Sequence, residues 1–102
     1  MPVMDSPLSI NTKAMGERMV LEMGVEAVIL LKAHGVVCAG HSLLQCFAFT
    51  NYLEENCRRQ YMTMQVGDPY RFSEEEKSNF RKSLNSPAMF KKVWDQHYCK
   101  LS

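Results

Sequence analysis

The sequence predicts an α/β fold, with sheet strands in the N-terminal third followed by helices. Three observations carry this reading. Ala27-Val28-Ile29-Leu30-Leu31 is a continuous, largely branched apolar run of strand length; Ser42 with Gln45 opens a long helical pattern; and Ser73-Glu74-Glu75-Glu76 and Ser86-Pro87 open two more. At 102 residues the chain has the size of one small domain with a modest core.

Taken in order, Pro2-Val3-Met4-Asp5 and Pro7-Leu8-Ser9-Ile10 are extended, because each proline forbids helix and removes a ladder donor; they suit short edge strands or ordered coil. Thr12 caps a helix over about 13–23 whose Met15, Met19 and Met23 form a core stripe, and Gly24 stops it. The run 27–31 then reads as a strand covered on both faces. Gly35 permits a tight reversal, and Val36-Val37-Cys38-Ala39 forms a second short strand closed by Gly40. The helix opened by the Ser42–Gln45 capping box runs toward Met64 and is ended by Gly67; its first half, from Leu43 to Leu53, is apolar on most sides and so expects burial. Ser73–Glu76 is a second capping box, with carboxylates at the positive end of the helix dipole, and Phe80 and Leu84 give that helix a thin apolar stripe. The last helix sets Phe90, Val93, Trp94, His97 and Leu101 along one face. Two strands buried on both faces do not make a stable sheet by themselves. The chain therefore either pairs with other strands or is a portion of a larger domain.

Composition excludes several classes. Apolar residues are 46% and charged residues 23%, an ordinary globular balance. Twelve basic residues against 11 acidic ones leave no field to gather phosphates, so nucleic acid is not an expected partner. No basic and apolar leader opens the chain and no apolar run is long enough to cross a bilayer, so no membrane partner is expected either. Cys38, Cys46, Cys57 and Cys99, at spacings of 8, 11 and 42, fit neither a metal knuckle nor a disulfide framework, and read as reduced thiols in a cytoplasmic protein.

His34 is the residue that asks for chemistry. It stands between two buried strands and is followed by Gly35, which allows a ligand or a second backbone to come close. The plain reading is a turn histidine bonded to backbone; the sharper one is a metal ligand held by flanking strands. A single imidazole does not make a zinc site, which takes three or four ligands. His41 lies past the second strand, roughly 20 Å along the chain at about 3.3 Å per residue, and His97 is on another element. Glu54 and Glu74 read as a helix-surface and a cap carboxylate.

The segments MPVMDSP, AVILLKAHGVVCAGHSLLQCF and NYLEENCRRQYMTMQVGDPYRFSEEE together resemble the C-terminal half of the class II aldolase/adducin family, over roughly residues 1–78. The matching features are His34-Gly35, Gly40, the helix from Ala48 to Glu55, and the helix start at Ser73 to Glu76. The resemblance implies a partial class II aldolase-like αβα layer. It implies a divalent metal, usually zinc, held by a His-x-His pair in the family's first half and by one later histidine corresponding to His34, the ion serving as a Lewis acid on substrate oxygens. Proton transfer is assigned by the family to an acidic residue upstream of that pair, and four-subunit assemblies are common. This chain has no His-x-His, so no catalytic residue is assigned here, and any metal needs ligands from outside the chain.

Three readings follow. The first is the C-terminal portion of a metal-dependent carbon–carbon lyase, an aldolase or decarboxylase of a small oxygenated substrate, inactive alone and partnered by the missing half or by further copies of itself. The second is a catalytically dead, adducin-like interaction module. The third is a self-sufficient small domain in which His34 is only a turn residue.

Overall fold

The computed structural model describes residues 1–101, which fall into two compact units, one of residues 1–40 and one beginning at His41. The first contains β1 (Val3–Met4), α1 (Lys13–Met23), β2 (Val28–Leu31) and β3 (Gly35–Cys38). The second contains α2 (Leu43–Met64), α3 (Glu74–Leu84), α4 (Pro87–Tyr98) and a closing 3₁₀ turn, Cys99–Leu101.

In the first unit the strands form one sheet in the order β1-β2-β3. β1 lies parallel to β2, with Val3 opposite Leu30 and Met4 opposite Leu31, so α1 is the crossover of a β-α-β unit. The ladder continues outward through Leu30 N–H to Pro2 C=O (3.0 Å) and Lys32 N–H to Met4 C=O (3.2 Å). β2 and β3 form an antiparallel hairpin in which Val28 faces Cys38 and Leu31 faces Gly35. The sheet thus has three strands rather than two, because the proline-flanked N-terminal segment supplies the third.

Side chains alternate across the sheet, so paired residues share a face. Met4, Ile29, Leu31 and Val37 lie on the α1 side, where Met23 is buried and Met19 and Ile10 pack beside it. Met4 and Ile29 are essentially inaccessible, and each such side chain contributes about 1.5–3 kcal/mol of burial. Of the expected methionine stripe, Met23 is core and Met19 packs against it, while Met15, a turn earlier, is half-buried and outside that cluster. The other face carries Val3, Val28, Leu30 and Val36, of which Val3 and Val36 are 54% and 43% exposed. Within this unit one face of the 27–31 run is covered by α1, and no element of the unit lies on the other, where Val28 and Leu30 are half-buried, so the unit by itself does not supply the two-sided cover expected of the run.

Helix ends follow local chemistry. Thr12 Oγ1 accepts from Met15 N–H (3.2 Å) at the start of α1. Gly24 closes that helix at φ 59°, ψ −127°, a backbone state open to glycine, while its N–H bonds Val20 C=O.

In the second unit, Ser42 caps α2 through Gln45 N–H (3.0 Å), but the predicted box is only half made: the Gln45 Oε1 turns to His41 N–H (2.6 Å), and its amide donates to Asn85 Oδ1 (3.1 Å). Gln45 thereby ties the start of α2 to the α3–α4 connection. α2 stops at Met64, three residues before the glycine expected to end it, with Gln65 at the C-cap still in right-handed helical geometry. Of its apolar half only Ala48 is fully buried, and Leu43 is exposed. Phe47 meets Trp94 and His97 edge-on at 5.1 and 5.4 Å, and Phe49 meets Phe90 at 5.8 Å, so α2 and α4 are joined by aromatic contacts. α3 buries nothing, as its thin stripe predicts. α4 ends at Tyr98, and Leu101, expected on its apolar face, falls in the 3₁₀ turn, where it is exposed at the edge of a cleft it shares with Phe47, Trp94 and His97. No disulfide joins the cysteines among the described residues, and no helix is long and apolar enough to cross a membrane.

Candidate functional site

His34 sits at the tip of the β2–β3 hairpin, in the turn of residues 32–34, and is exposed. Two backbone features set its position. Ala33 has φ 65°, the one non-glycine residue with positive φ among those described, and Gly35 has φ 129°. L-residues rarely adopt either state, and such strain concentrates where a local geometry is over-determined. His34 N–H closes the turn on Leu31 C=O (3.0 Å). The reversal is thus centred on Ala33 rather than on Gly35, which instead opens β3. A Cβ at Gly35 would meet no atom within 4 Å, so the demand for glycine there is conformational and not one of space.

The imidazole reaches back to the N-terminal segment. Its Nε2 lies 2.5 Å from Pro7 C=O. A carbonyl oxygen only accepts, so Nε2 carries the proton, and in the neutral ring the lone pair resides on Nδ1. Beside this contact Lys32 Nζ bonds Asp5 Oδ1 at 2.8 Å. That hydrogen bond, and then the Lys32 charge, hold the Asp5 carboxyl below the ordinary carboxylate range, while the same bond and the Asp5 charge raise the Lys32 ammonium. Both groups are in water, so this pair fixes direction more than it stabilises. Neither Pro7 nor the Asp5–Lys32 pair was singled out by sequence reasoning. The available signal was the parallel pairing of β1 with β2, which brings residues 5–7 past the end of β2.

The divalent ion implied by the resemblance does not fit this donor set as it stands. His34 offers one imidazole whose Nε2 is taken by a carbonyl, and among the described residues no group of three or more His, Cys, Asp or Glu is placed to hold an ion. His41 begins the second unit, and its backbone N–H is bonded to Gln45. His97, on α4, bonds Val93 C=O through Nδ1 (2.9 Å) and packs on Phe47. Glu54 pairs with Arg58 (3.6 Å) and Glu74 with Lys77 (3.0 Å), both on exposed helix surface, while the cap carboxylate of α3 is Glu76. An open groove of about 360 Å³ between α2 and α4, lined in part by Glu54, Glu55, Arg58 and Lys100, gathers no convergent set either: its carboxylates are already paired along α2.

No curated protein and no solved structure matches the chain. A family profile does: the class II aldolase and adducin N-terminal domain matches residues 2–61. That span contains the three strands, the His34 turn and most of α2, and stops before the Ser73–Glu76 helix start, which therefore adds nothing to the assignment. The chain belongs to the class II aldolase and adducin N-terminal domain family.

Proposed function

We propose that this chain is the C-terminal portion of a class II aldolase-type domain, part of a partial αβα layer, and that it serves a metal-dependent carbon–carbon lyase, an aldolase or decarboxylase of a small oxygenated substrate. In this reading it is inactive alone. His34 contributes one ligand to a divalent ion, zinc by preference of its imidazole chemistry, and the remaining ligands come from outside the chain, from a complementary half or from other copies in an oligomer. The setting is cytoplasmic, where the four thiols stay reduced. Members of the family are generally divalent-metal dependent and generally oligomeric.

The observation that carries this reading is the placement of His34 inside the family-matched span: exposed at a hairpin tip whose backbone is fixed by two positive-φ residues, Ala33 and Gly35. Fixed backbone and an accessible ring are what a ligand in a shared coordination sphere requires. A test is to join the chain to the N-terminal half of a class II aldolase that carries a His-x-His pair and measure zinc content and chelator-sensitive cleavage of a small hydroxycarbonyl substrate. Zinc retention that is lost in His34→Ala supports the proposal. A joined protein that folds and assembles but holds the same zinc with or without His34 overturns it.

A second reading, an adducin-like interaction module without chemistry, is favoured by the open sheet face of Val3, Val28, Leu30 and Val36. A discrete, metal-free oligomer in sedimentation, unaffected by His34→Ala, would select it.

A further inference from the structure

The second unit leaves an open groove among its helices. One lobe, of about 630 Å³, is walled in part by Leu53, Met89 and Val93, and a second, of about 390 Å³, by Phe49; the two share Tyr52, Phe72, Phe80 and Leu84, so they form one continuous surface. Specific contacts hold its walls in place. Tyr52 Oη donates to Leu84 C=O (3.0 Å) and ties α2 to the end of α3, Phe72 lies on Phe80 with ring centres 4.7 Å apart, and Tyr70, 5.8 Å from Phe72, is anchored by its bond to Glu76. Yet the apolar wall stays uncovered: Phe72, Phe80 and Leu84 are 47%, 44% and 37% exposed. The rim is cationic. Arg59 and Lys92 stand on the larger lobe, and Lys77 and Arg81 on the smaller, against one lining carboxylate, Glu55. Glu55 is taken by Arg59 (2.7 Å), and Glu74, on α3, by Lys77 (3.0 Å), which leaves Lys92 and Arg81 without an ion pair among the described residues.

We propose that this groove docks an acidic amphipathic helix of a partner protein, with the partner's apolar stripe on the wall of Phe72, Phe80 and Leu84 and its carboxylates against Lys92 and Arg81. Charge decides the partner's character. The chain as a whole is nearly neutral, with 12 basic residues against 11 acidic, whereas the groove rim holds two cations lacking counter-ions; an acidic flank supplies them and a basic flank is repelled. Shape decides its form. A groove between packed helices suits a helix that presents apolar anchors at i, i+3, i+4 and i+7. Half-exposed aromatic rings and a methionine, Met89, able to adapt its shape, receive such anchors well. A concave wall with cations on both lobes gives a flat lipid surface far less contact. Most of the groove lies beyond residue 61, outside the family-matched span, so the family assignment neither supplies nor requires it. The proposal uses the second unit alone and rests on neither the metal nor the lyase reading.

The test uses the full chain and a synthetic helix of about 18 residues, five turns at about 3.6 residues per turn, with leucine and phenylalanine along one stripe and glutamate on its flanks. Two control peptides accompany it: one of the same composition with the stripe scrambled, and one with lysine in place of glutamate. Binding is read from the anisotropy of the labelled peptide and from methyl NMR of the chain. The expected result is saturable binding of the acidic helix alone, weakened by added salt. It should move the Leu84 and Met89 methyl signals and leave those of Met4 and Met23, in the core of the first unit, where they are. Lys92→Glu combined with Arg81→Glu should weaken binding roughly tenfold. The milder pair Lys92→Gln and Arg81→Gln, which removes charge without reversing it near the end of α3, should weaken it roughly threefold. Equal binding of either control peptide, unmoved Leu84 and Met89 signals, or charge variants that bind as tightly as the parent overturn the proposal. Preferential binding of phosphatidylserine vesicles, or a dimer in sedimentation that Phe80→Ser dissolves, overturns it too, by making the occupant a membrane or a second copy.

Discussion

At the scale of single residues, Gly35 and His34 carry most of the argument. Gly35 sits at φ 129°, so Gly35→Val forces a β-branched residue into a region it avoids, at a cost of about 1–3 kcal/mol read as a lower unfolding midpoint. Because a Cβ there meets nothing, Gly35→Ala should lose nearly as much as Gly35→Val; a loss that grows steeply with side-chain size would mean crowding instead. His34→Ala in the isolated chain removes one exposed hydrogen bond and should cost about 0.5–1.5 kcal/mol in chemical denaturation. The sequence made His34 visible, since the apolar run 27–31 halts at a titratable ring followed at once by glycine. It did not make its partner visible, because Pro7 contributes a carbonyl, and a main-chain acceptor leaves no mark in a side-chain alphabet. Nor did it place the strain at Ala33, because alanine is not a residue that advertises positive φ.

At the scale of elements, caps were the most legible feature. Thr12, Ser42, Ser73 and Ser86 each cap the helix they were expected to open. The Ser73 box is complete: Glu76 N–H meets Ser73 Oγ (3.2 Å), Glu76 Oε1 accepts from Ser73 N–H (3.1 Å), and Tyr70 Oη donates to the same oxygen (3.0 Å). Ser73→Ala should therefore lower the stability of α3 by about 1 kcal/mol, measured by helix amide exchange. The Ser73 backbone bond first, and then the Tyr70 and Ser73 side chains, hold the Glu76 carboxyl below its ordinary value. A depressed carboxyl stabilises above its unfolded pKa and loses that contribution as pH falls through the folded one. The contribution of Glu76 to α3 should accordingly begin to fall as the pH drops to the ordinary glutamate value and be lost once it has passed below the depressed one, and Glu76→Gln should remove that part of the pH dependence; a side-chain ¹³C titration checks both. Where a signal was shared between competing partners, local reading went astray: Gln45 chose His41 N–H over Ser42, and α2 stopped at Met64 without waiting for Gly67. In the strands, Ile29→Ala should cost about 2–5 kcal/mol, since Ile29 is fully enclosed by Met4 and Met23, and Val36→Ala on the open face far less.

At the scale of the whole molecule, the fold class was legible because periodicity distinguishes a run such as 27–31 from the helical patterns beyond Ser42. The third strand was not fully legible, because Val3-Met4 is too short to show a period and becomes a strand only by pairing with β2. The second cover of the sheet was not legible either, and the first unit by itself does not supply it: an apolar run states that burial is wanted and not who supplies it. That same gap organises the functional reading. The family-matched segment places one histidine at a strained hairpin tip, and among the described residues no group of three or more His, Cys, Asp or Glu gathers there to hold an ion. Heating the isolated chain with zinc or with chelator should give the same unfolding midpoint, because a ligand that is not bound adds nothing to stability. The most direct measurement is the zinc stoichiometry of the isolated chain beside that of the chain joined to a His-x-His-bearing N-terminal half. The expected result is zinc in the joined protein alone, lost on His34→Ala. Stoichiometric zinc in the isolated chain, or none in a folded joined protein, would contradict it.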